Sequence, residues 1–288
     1  MSINAGDTGG EGAGDRLRVL CLHSFRTSAA ILRDQLDMAQ WPQSLGDLCD
    51  FTCMDAPHSA SGAVPQDVAS FFEPPYMEWW NATEVNGRLE YVGLEQSLAS
   101  IDAFVDEHGP FDGVLGFSQG ATLTGLMVAS GVAEGRGPFA ARGGADECEG
   151  VGVGVGAGAA TSPTFALMIS GMLARTACAR DLYSAAAEAV AAGEGARGMG
   201  AGAATPSLHI IGDADAVMPP VLSARAAASP FFVDPVTTRH ARGHVVPRLT
   251  GSTLDDVRAF MERLRQRRQG AEEAEEPCAA QQAPTAAL

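Results

Sequence analysis

Short apolar runs separated by amphipathic stretches of helical length recur along this chain from Leu17 to Arg267. The first, Leu17-Arg-Val-Leu-Cys-Leu22, is too short for a stable helix and ends at His23-Ser24, which predicts a buried strand followed by a loop. From Ala29 to Gln40, Ile31, Leu32, Leu36 and Met38 are spaced among Arg33, Asp34 and Asp37 as on one face of a helix. The alternation then repeats. Strands are predicted at Phe51–Met54, Phe111–Leu115, Phe165–Ile169, Leu208–Ile211 and Phe231–Val233. Helices are predicted at Leu94–Glu107, Gln119–Ser130, in the Ala-rich stretch after Gly171, near Val221–Ala228 and at Leu254–Arg267. Such an order predicts right-handed βαβ units, a mainly parallel sheet with helices on both faces, and a ligand site at the carboxyl ends of the strands.

Two kinds of segment break the pattern. Pro57 to Tyr91 carries Phe71, Phe72, Tyr76, Trp79 and Trp80 with Pro65, Pro74 and Pro75, and has no periodicity. Aromatic side chains there must bury themselves against something. Phe72, Trp79 and Trp80 are therefore candidates for a substrate wall or lid, the plainer alternative being that they cover the sheet edge. The other kind is dominated by Gly and Ala, at about 131–162 and 191–204, and reads as low-complexity loop insertion because it offers few side chains to pack. With a Gly-rich, acidic tail at 1–15 and an acidic, Ala-rich tail at 269–288, both expected to be disordered, the expectation is one α/β domain over 16–268.

Composition narrows the partners more than the fold. A net charge of −16 repels phosphate backbones and anionic lipid, so nucleic acid and membrane surfaces are not expected partners. The six cysteines are scattered without a C-x-x-C pair, which favours reduced thiols over a disulfide framework or zinc site. With neither a signal-peptide pattern at the start nor an apolar run of membrane-spanning length, the expected location is cytoplasmic.

The chemistry centres on Gly116-Phe117-Ser118-Gln119-Gly120. In a Gly-rich chain a G-x-S-x-G pentapeptide carries little by itself, but this one follows a predicted strand and precedes a predicted helix, as a nucleophile elbow requires. The turn projects the Ser118 hydroxyl above the sheet and directs the Gln119 N–H, at the helix start, into the same space. A serine needs a base. Of six histidines, His209 lies in a predicted strand, His108 ends a helix, and His23 and His58 precede the serine. In the order serine, acid, histidine the base comes late, which leaves His240 and His244. His244, between Gly243 and Val245-Val-Pro247, is favoured, with His240 the alternative. For the acid that orients it, Asp213, Asp215 and Asp234 all follow late strands. Asp215 is favoured because it stands far enough past its strand to turn toward the histidine loop, and Asp213 is the runner-up. The His23-Ser24-Phe25 loop offers a second backbone donor for an oxyanion, with His23 as its brace.

These residues resemble the FSH family of small serine hydrolases within the α/β-hydrolase superfamily. The resemblance is carried by Leu20-Cys-Leu-His23, Asp55-Ala-Pro-His58, Trp79-Trp80, Tyr91-Val-Gly-Leu-Glu-Gln-Ser-Leu98, the block from Gly109 through Ser118 to Gly120, Leu208-His-Ile-Ile-Gly212 with Asp215, and Gly243-His244-x-x-Pro247. It implies an α/β-hydrolase fold and a Ser118, Asp215, His244 triad, with oxyanion donors from Phe25 and Gln119. It further implies hydrolysis of small-molecule carboxylic esters or thioesters without metal or organic cofactor, and the favoured reading is cleavage of carboxylic esters through an acyl-enzyme on Ser118. The alternatives are a thioesterase or polyketide-releasing hydrolase with the same triad, and a non-catalytic binding protein on the same fold. One departure bears on the oxyanion loop: the family usually places Gly after the strand-end histidine, where this chain has Ser24.

Overall fold

The structure is a computed structural model, and it describes residues 15–133, 163–192 and 205–280. The 1–14 tail and most of both Gly/Ala-rich segments lie outside the described residues. In chain order the elements are β1 (Leu17–Leu22), α1 (Ala29–Met38), α2 (Trp41–Leu45), β2 (Cys49–Met54), β3 (His58–Ser59), α3 (Gln66–Phe71), β4 (Met77–Glu78), β5 (Asn81–Val85) and β6 (Arg88–Val92). They continue as α4 (Leu94–His108), β7 (Gly113–Phe117), α5 (Gln119–Ala133), β8 (Ala166–Ile169), α6 (Ala177–Ala191), β9 (Thr205–Gly212), α7 (Pro220–Ala227), β10 (Phe232–His240) and α8 (Gly251–Ala280).

Six strands form one sheet in the order β10-β9-β8-β7-β1-β2, and every neighbouring pair is parallel. Parallel strands covered on both faces read as continuous apolar runs, and alternate residues here enter separate cores. Val19 and Cys21 pack with Leu32 and Leu36 of α1 and with Val257, Phe260 and Met261 of α8. Leu20 and Leu22 pack on the opposite face with Leu98, Ile101 and Val105 of α4 and with Leu123 and Met127 of α5. Farther along that face, α5 and α6 share a third cluster with Ala166, Met168, Phe231 and Phe232. The fold is the α/β-hydrolase class. From β1 the chain runs outward to β2, then returns past β1 to add β7 on the other side, so strand order reverses between β1 and β7. A crevice at such a switch point is the expected ligand site of an open parallel sheet. The loop after β1 and the Ser118 turn after β7 flank it.

The elements depart from the sequence pattern where it was interrupted. The last strand is longer than Phe231–Val233. It passes through Pro235 by means of a register shift between Val233 and Val236 and continues to His240. Proline lacks an N–H for a ladder, but β10 is an edge strand, where that loss is tolerated. Asp234 therefore lies within a strand and His240 at its end, instead of in following loops. Helix α5 runs on through Gly131 and Val132, both buried, to Ala133, past the expected start of the first insertion. Helix α8 begins before Leu254 and continues to Ala280, into the segment read as a disordered tail from 269; its Glu- and Ala-rich composition favours a helix. Within 57–91, β5 and β6 form an antiparallel hairpin whose turn, Asn86-Gly87, has φ of 52° and 73°. Asn-Gly is the pair that tolerates positive φ at both turn positions.

Two buried histidines make acid stability predictable. His23 and His209 are each pushed down to about 4 by burial, so both are neutral in the folded protein near neutral pH. The unfolded chain takes up these protons near pH 6.5, hence stability is full above that value and drains away as pH falls toward 4. Each depression corresponds to roughly 3 kcal/mol. Urea unfolding should show a loss of about 5 kcal/mol between pH 7 and pH 4.5 from the pair. His209→Leu should lose about half as much over the same interval; an unchanged pH dependence in that variant refutes the assignment.

Candidate active site

Ser118 is the residue between β7 and α5 and adopts φ 55°, a left-handed conformation that a non-glycine residue holds only when its surroundings impose it. Its N–H donates to Ile169 O of β8 at 2.9 Å, which anchors the turn to the sheet. The flanking glycines are dictated by contact: a Cβ on Gly116 would lie 2.5 Å from the Ala121 backbone N, and one on Gly120 would lie 2.7 Å from His23 O. Strand, helix and β1 loop approach too closely for a side chain at either position.

His244 meets this turn from the loop after β10. Its Nε2 lies 2.9 Å from Ser118 Oγ, and its Nδ1 lies 2.8 Å from Asp215 Oδ2. An ionised carboxylate only accepts, so Nδ1 carries the proton and donates to Asp215, leaving the Nε2 lone pair to accept from Ser118. The Asp215 carboxylate is buried, and its Oδ1 accepts the N–H groups of Val217 and Met218 at 3.0 and 2.7 Å. Burial pushes the Asp215 pKa up, but the Met218 N–H and the His244 ring outweigh it and hold the group below its ordinary value. The histidine loop is held in place as well. Ala214 N–H donates to Arg242 O, Trp41 Nε1–H to Pro247 O at 2.8 Å, and the His244 ring lies against Phe117 with centroids 5.0 Å apart.

The other acids and histidines are elsewhere. Asp213 pairs on the surface with Arg239 at 2.6 Å, and Asp234 lies 3.7 Å from Arg267, both well exposed. Among the described residues the buried His240 ring nitrogens have no hydrogen-bond partner, and His58 Nε2 contacts Gly93 O at 2.9 Å.

The β1 loop is braced from inside. His23 is fully buried; its Nε2 accepts the Ala56 N–H at 3.0 Å, so Nδ1–H donates to Ser24 O at 2.8 Å. Thr27 Oγ1 donates to the same carbonyl at 2.8 Å. Ser24 needs no glycine's freedom: the residue of this loop with positive φ is Arg26, at 54°. Arg26 in turn binds Glu78 at 2.9 Å and lies over the Phe25 ring, which fastens the loop to the 58–78 segment.

The aromatic segment divides. Trp79 and Trp80 are buried, Trp80 stacking on Tyr91, while Phe72 is partly exposed and Phe71 is 81% exposed, against the expectation that aromatics here would all bury themselves. Helix α3, which carries Phe71, buries no residue. Trp79 donates its indole N–H to His23 O at 2.8 Å, and its location is that of a brace for the β1 loop. Sequence reasoning passed over the Gln119 side chain, whose Oε1 accepts Trp79 N–H at 3.0 Å and whose Nε2 donates to Trp80 O at 2.9 Å. Among the described residues no group of three or more His, Cys, Asp or Glu side chains is placed to hold a metal ion, and no helix is long and apolar enough to cross a membrane.

A parallel sheet with a serine on a strained strand-to-helix turn, a histidine within hydrogen-bond distance of it and a carboxylate behind the histidine is the arrangement of an α/β-hydrolase of the serine hydrolase class. A family model described as serine hydrolase (FSH1) matches residues 13–254, and the chain belongs to that family. Human esterase OVCA2 is 30% identical over 245 residues, covering 80% of this chain and 89% of its own. Caenorhabditis elegans esterase C25G4.2 is 28% identical over 242 residues, covering 82% and 88%. Among solved structures, Zea mays acyl-protein thioesterase 2 aligns with a TM-score of 0.49 and 18% identity over 87% of this chain and 94% of its own.

Proposed function

We propose that the protein hydrolyses small-molecule carboxylic esters through an acyl-enzyme on Ser118, a reading supported by the family and by the esterase names of its relatives. The observation that carries it is the unbroken hydrogen-bond chain from Ser118 Oγ through His244 to Asp215. As Ser118 Oγ attacks the ester carbonyl, its proton passes to His244 Nε2, and Asp215 stabilises the imidazolium without taking a proton itself. The N–H groups of Phe25 and Gln119 receive the oxyanion, and the α5 N-terminus adds its partial positive charge. His244 then protonates the departing alkoxide. Water, deprotonated by the same nitrogen, cleaves the acyl-enzyme and regenerates Ser118.

The test is a panel of p-nitrophenyl esters from acetate to laurate beside acyl-CoA thioesters of equal chain length. Turnover of the oxygen esters should exceed that of the thioesters by at least about tenfold in kcat/KM, a difference of roughly 1.4 kcal/mol in the barrier. The reverse ranking would mean a thioesterase, and absence of turnover together with failure of a fluorophosphonate to label Ser118 would mean a binding protein on this fold.

A further inference from the structure

The nucleophile elbow requires glycines at 116 and 120 and a backbone N–H at 119, but nothing in that requirement calls for a glutamine side chain. At the first position of a helix such a side chain ordinarily reaches into water. Here Gln119 is only 9% exposed, and both ends of its amide are used. The partners are backbone groups of Trp79 and Trp80, some forty residues away in sequence and outside α5.

From there a continuous line of buried hydrogen bonds leads to the other side of the crevice. Trp79 donates its backbone N–H to Gln119 Oε1 and its indole N–H to His23 O. His23 donates to Ser24 O and accepts from Ala56, and Thr27 closes on the same Ser24 carbonyl. Trp79 O accepts from Ser97 Oγ, so the Trp79 backbone cannot shift without losing a bond to α4 as well. The β1–β7 ladder pairs residues only as far as Leu22 and Gly116. Past those residues, the relation between the α5 N-terminus and the Ser24-Phe25 loop depends on the approach of Gly120 to Leu22 and His23 and on this line of bonds.

We propose that the Gln119 side chain is a positioning residue, which through Trp79 and His23 holds the Phe25 donor at a fixed separation from the Gln119 N–H so that both reach one oxyanion. The proposal rests on the reading of Ser118 as nucleophile with those two donors. Buried polar groups in a complete network hold a single geometry, and a network missing one member relaxes because the orphaned groups must find new partners. Gln119 therefore acts on the transition state through the loop opposite, while its own N–H contributes directly whatever side chain is attached.

Gln119→Met keeps the backbone donor, the length and the apolar volume, and removes both amide bonds. Each preparation is titrated to completion with a fluorophosphonate, so that rates are expressed per competent Ser118. On p-nitrophenyl acetate the expected result is a kcat about 10- to 100-fold below wild type, less than the loss from deleting an oxyanion donor outright, with KM within twofold. Affinity for a trifluoromethyl ketone, to which Ser118 Oγ adds while its proton passes to His244 and the ketone oxygen becomes the oxyanion, should weaken by the same factor. A brace that merely stabilised the fold would lower the titrated fraction or the melting temperature and leave kcat per site and ketone affinity alone. Values within twofold of wild type for both overturn the proposal. Should Gln119→Met not yield folded protein, the same criterion applies to Trp79→Phe, which removes the indole N–H that reaches His23 O and keeps the Trp79 backbone bonds to Gln119 and Ser97. Ser118→Ala serves as the separate control: if it retains turnover, the nucleophile has been misread, and if it is inactive while Gln119→Met and Trp79→Phe behave as wild type, only the positioning role falls.

Discussion

Ser118→Ala is expected to lower kcat for ester hydrolysis by about 10⁴- to 10⁶-fold, because a residue that acts as one unit with its base takes most of the covalent advantage with it. Labelling by a fluorophosphonate should disappear with the activity. Stability should change little, since alanine occupies the same left-handed φ of 55° at a cost similar to that of serine. Stopped-flow hydrolysis of p-nitrophenyl acetate, with thermal unfolding run in parallel, measures both effects. A variant that stays folded and still forms an acyl adduct refutes the assignment.

Asp215→Asn should cost about 10³- to 10⁴-fold in kcat, and the structure gives the reason. Oδ1 of Asp215 accepts two N–H groups, from Val217 and Met218. An asparagine must keep its amide oxygen there, since an NH₂ group facing two donors would leave all of them unpaired. Its NH₂ then faces His244 Nδ1, which must offer a lone pair, so the ring proton moves to Nε2 and points at Ser118 Oγ. His244 can no longer accept the hydroxyl proton. Asp213→Asn is the matched control: its carboxylate is about half exposed and paired with Arg239 on the surface, so kcat should stay within twofold and stability within about 0.5 kcal/mol of wild type. Equal losses in the two variants would show that neither carboxylate orients the base.

The parts of the fold that were legible share a physical cause. Strands β1, β7, β8 and β9 are almost wholly buried, so apolar residues dominate them despite Arg18 in β1 and the polar residues of β9, and the loops between them are marked by Gly and Pro. β10 shows only its first residues in the apolar pattern, because Pro235 and exposed polar residues interrupt the rest, as an edge strand permits. Helix α2, with five residues, is shorter than any periodicity can reveal. The β5–β6 hairpin did carry a signal in Asn86-Gly87, but its strands are too exposed for their alternation to stand out.

The site divides in the same way. A serine between a strand and a helix, and a Gly116 pressed against Gly120 and Ala121, are local demands legible in the residues from 113 to 121, whereas Gly120 answers to Leu22 and His23 of the β1 loop and the Ser118 turn is anchored at Ile169 of β8. Which histidine and which aspartate come into line with Ser118 is a different matter, because Ser118 and His244 are 126 positions apart and adjacent candidates differ by only a few residues. It depends on how far β10 extends, on the Trp41 bond that anchors the loop at Pro247, and on the two N–H groups that turn Asp215 inward. Only the tertiary structure likewise turned the Gln119 side chain into the protein, since its partners at Trp79 and Trp80 come beside it through packing and not through any pattern in the chain.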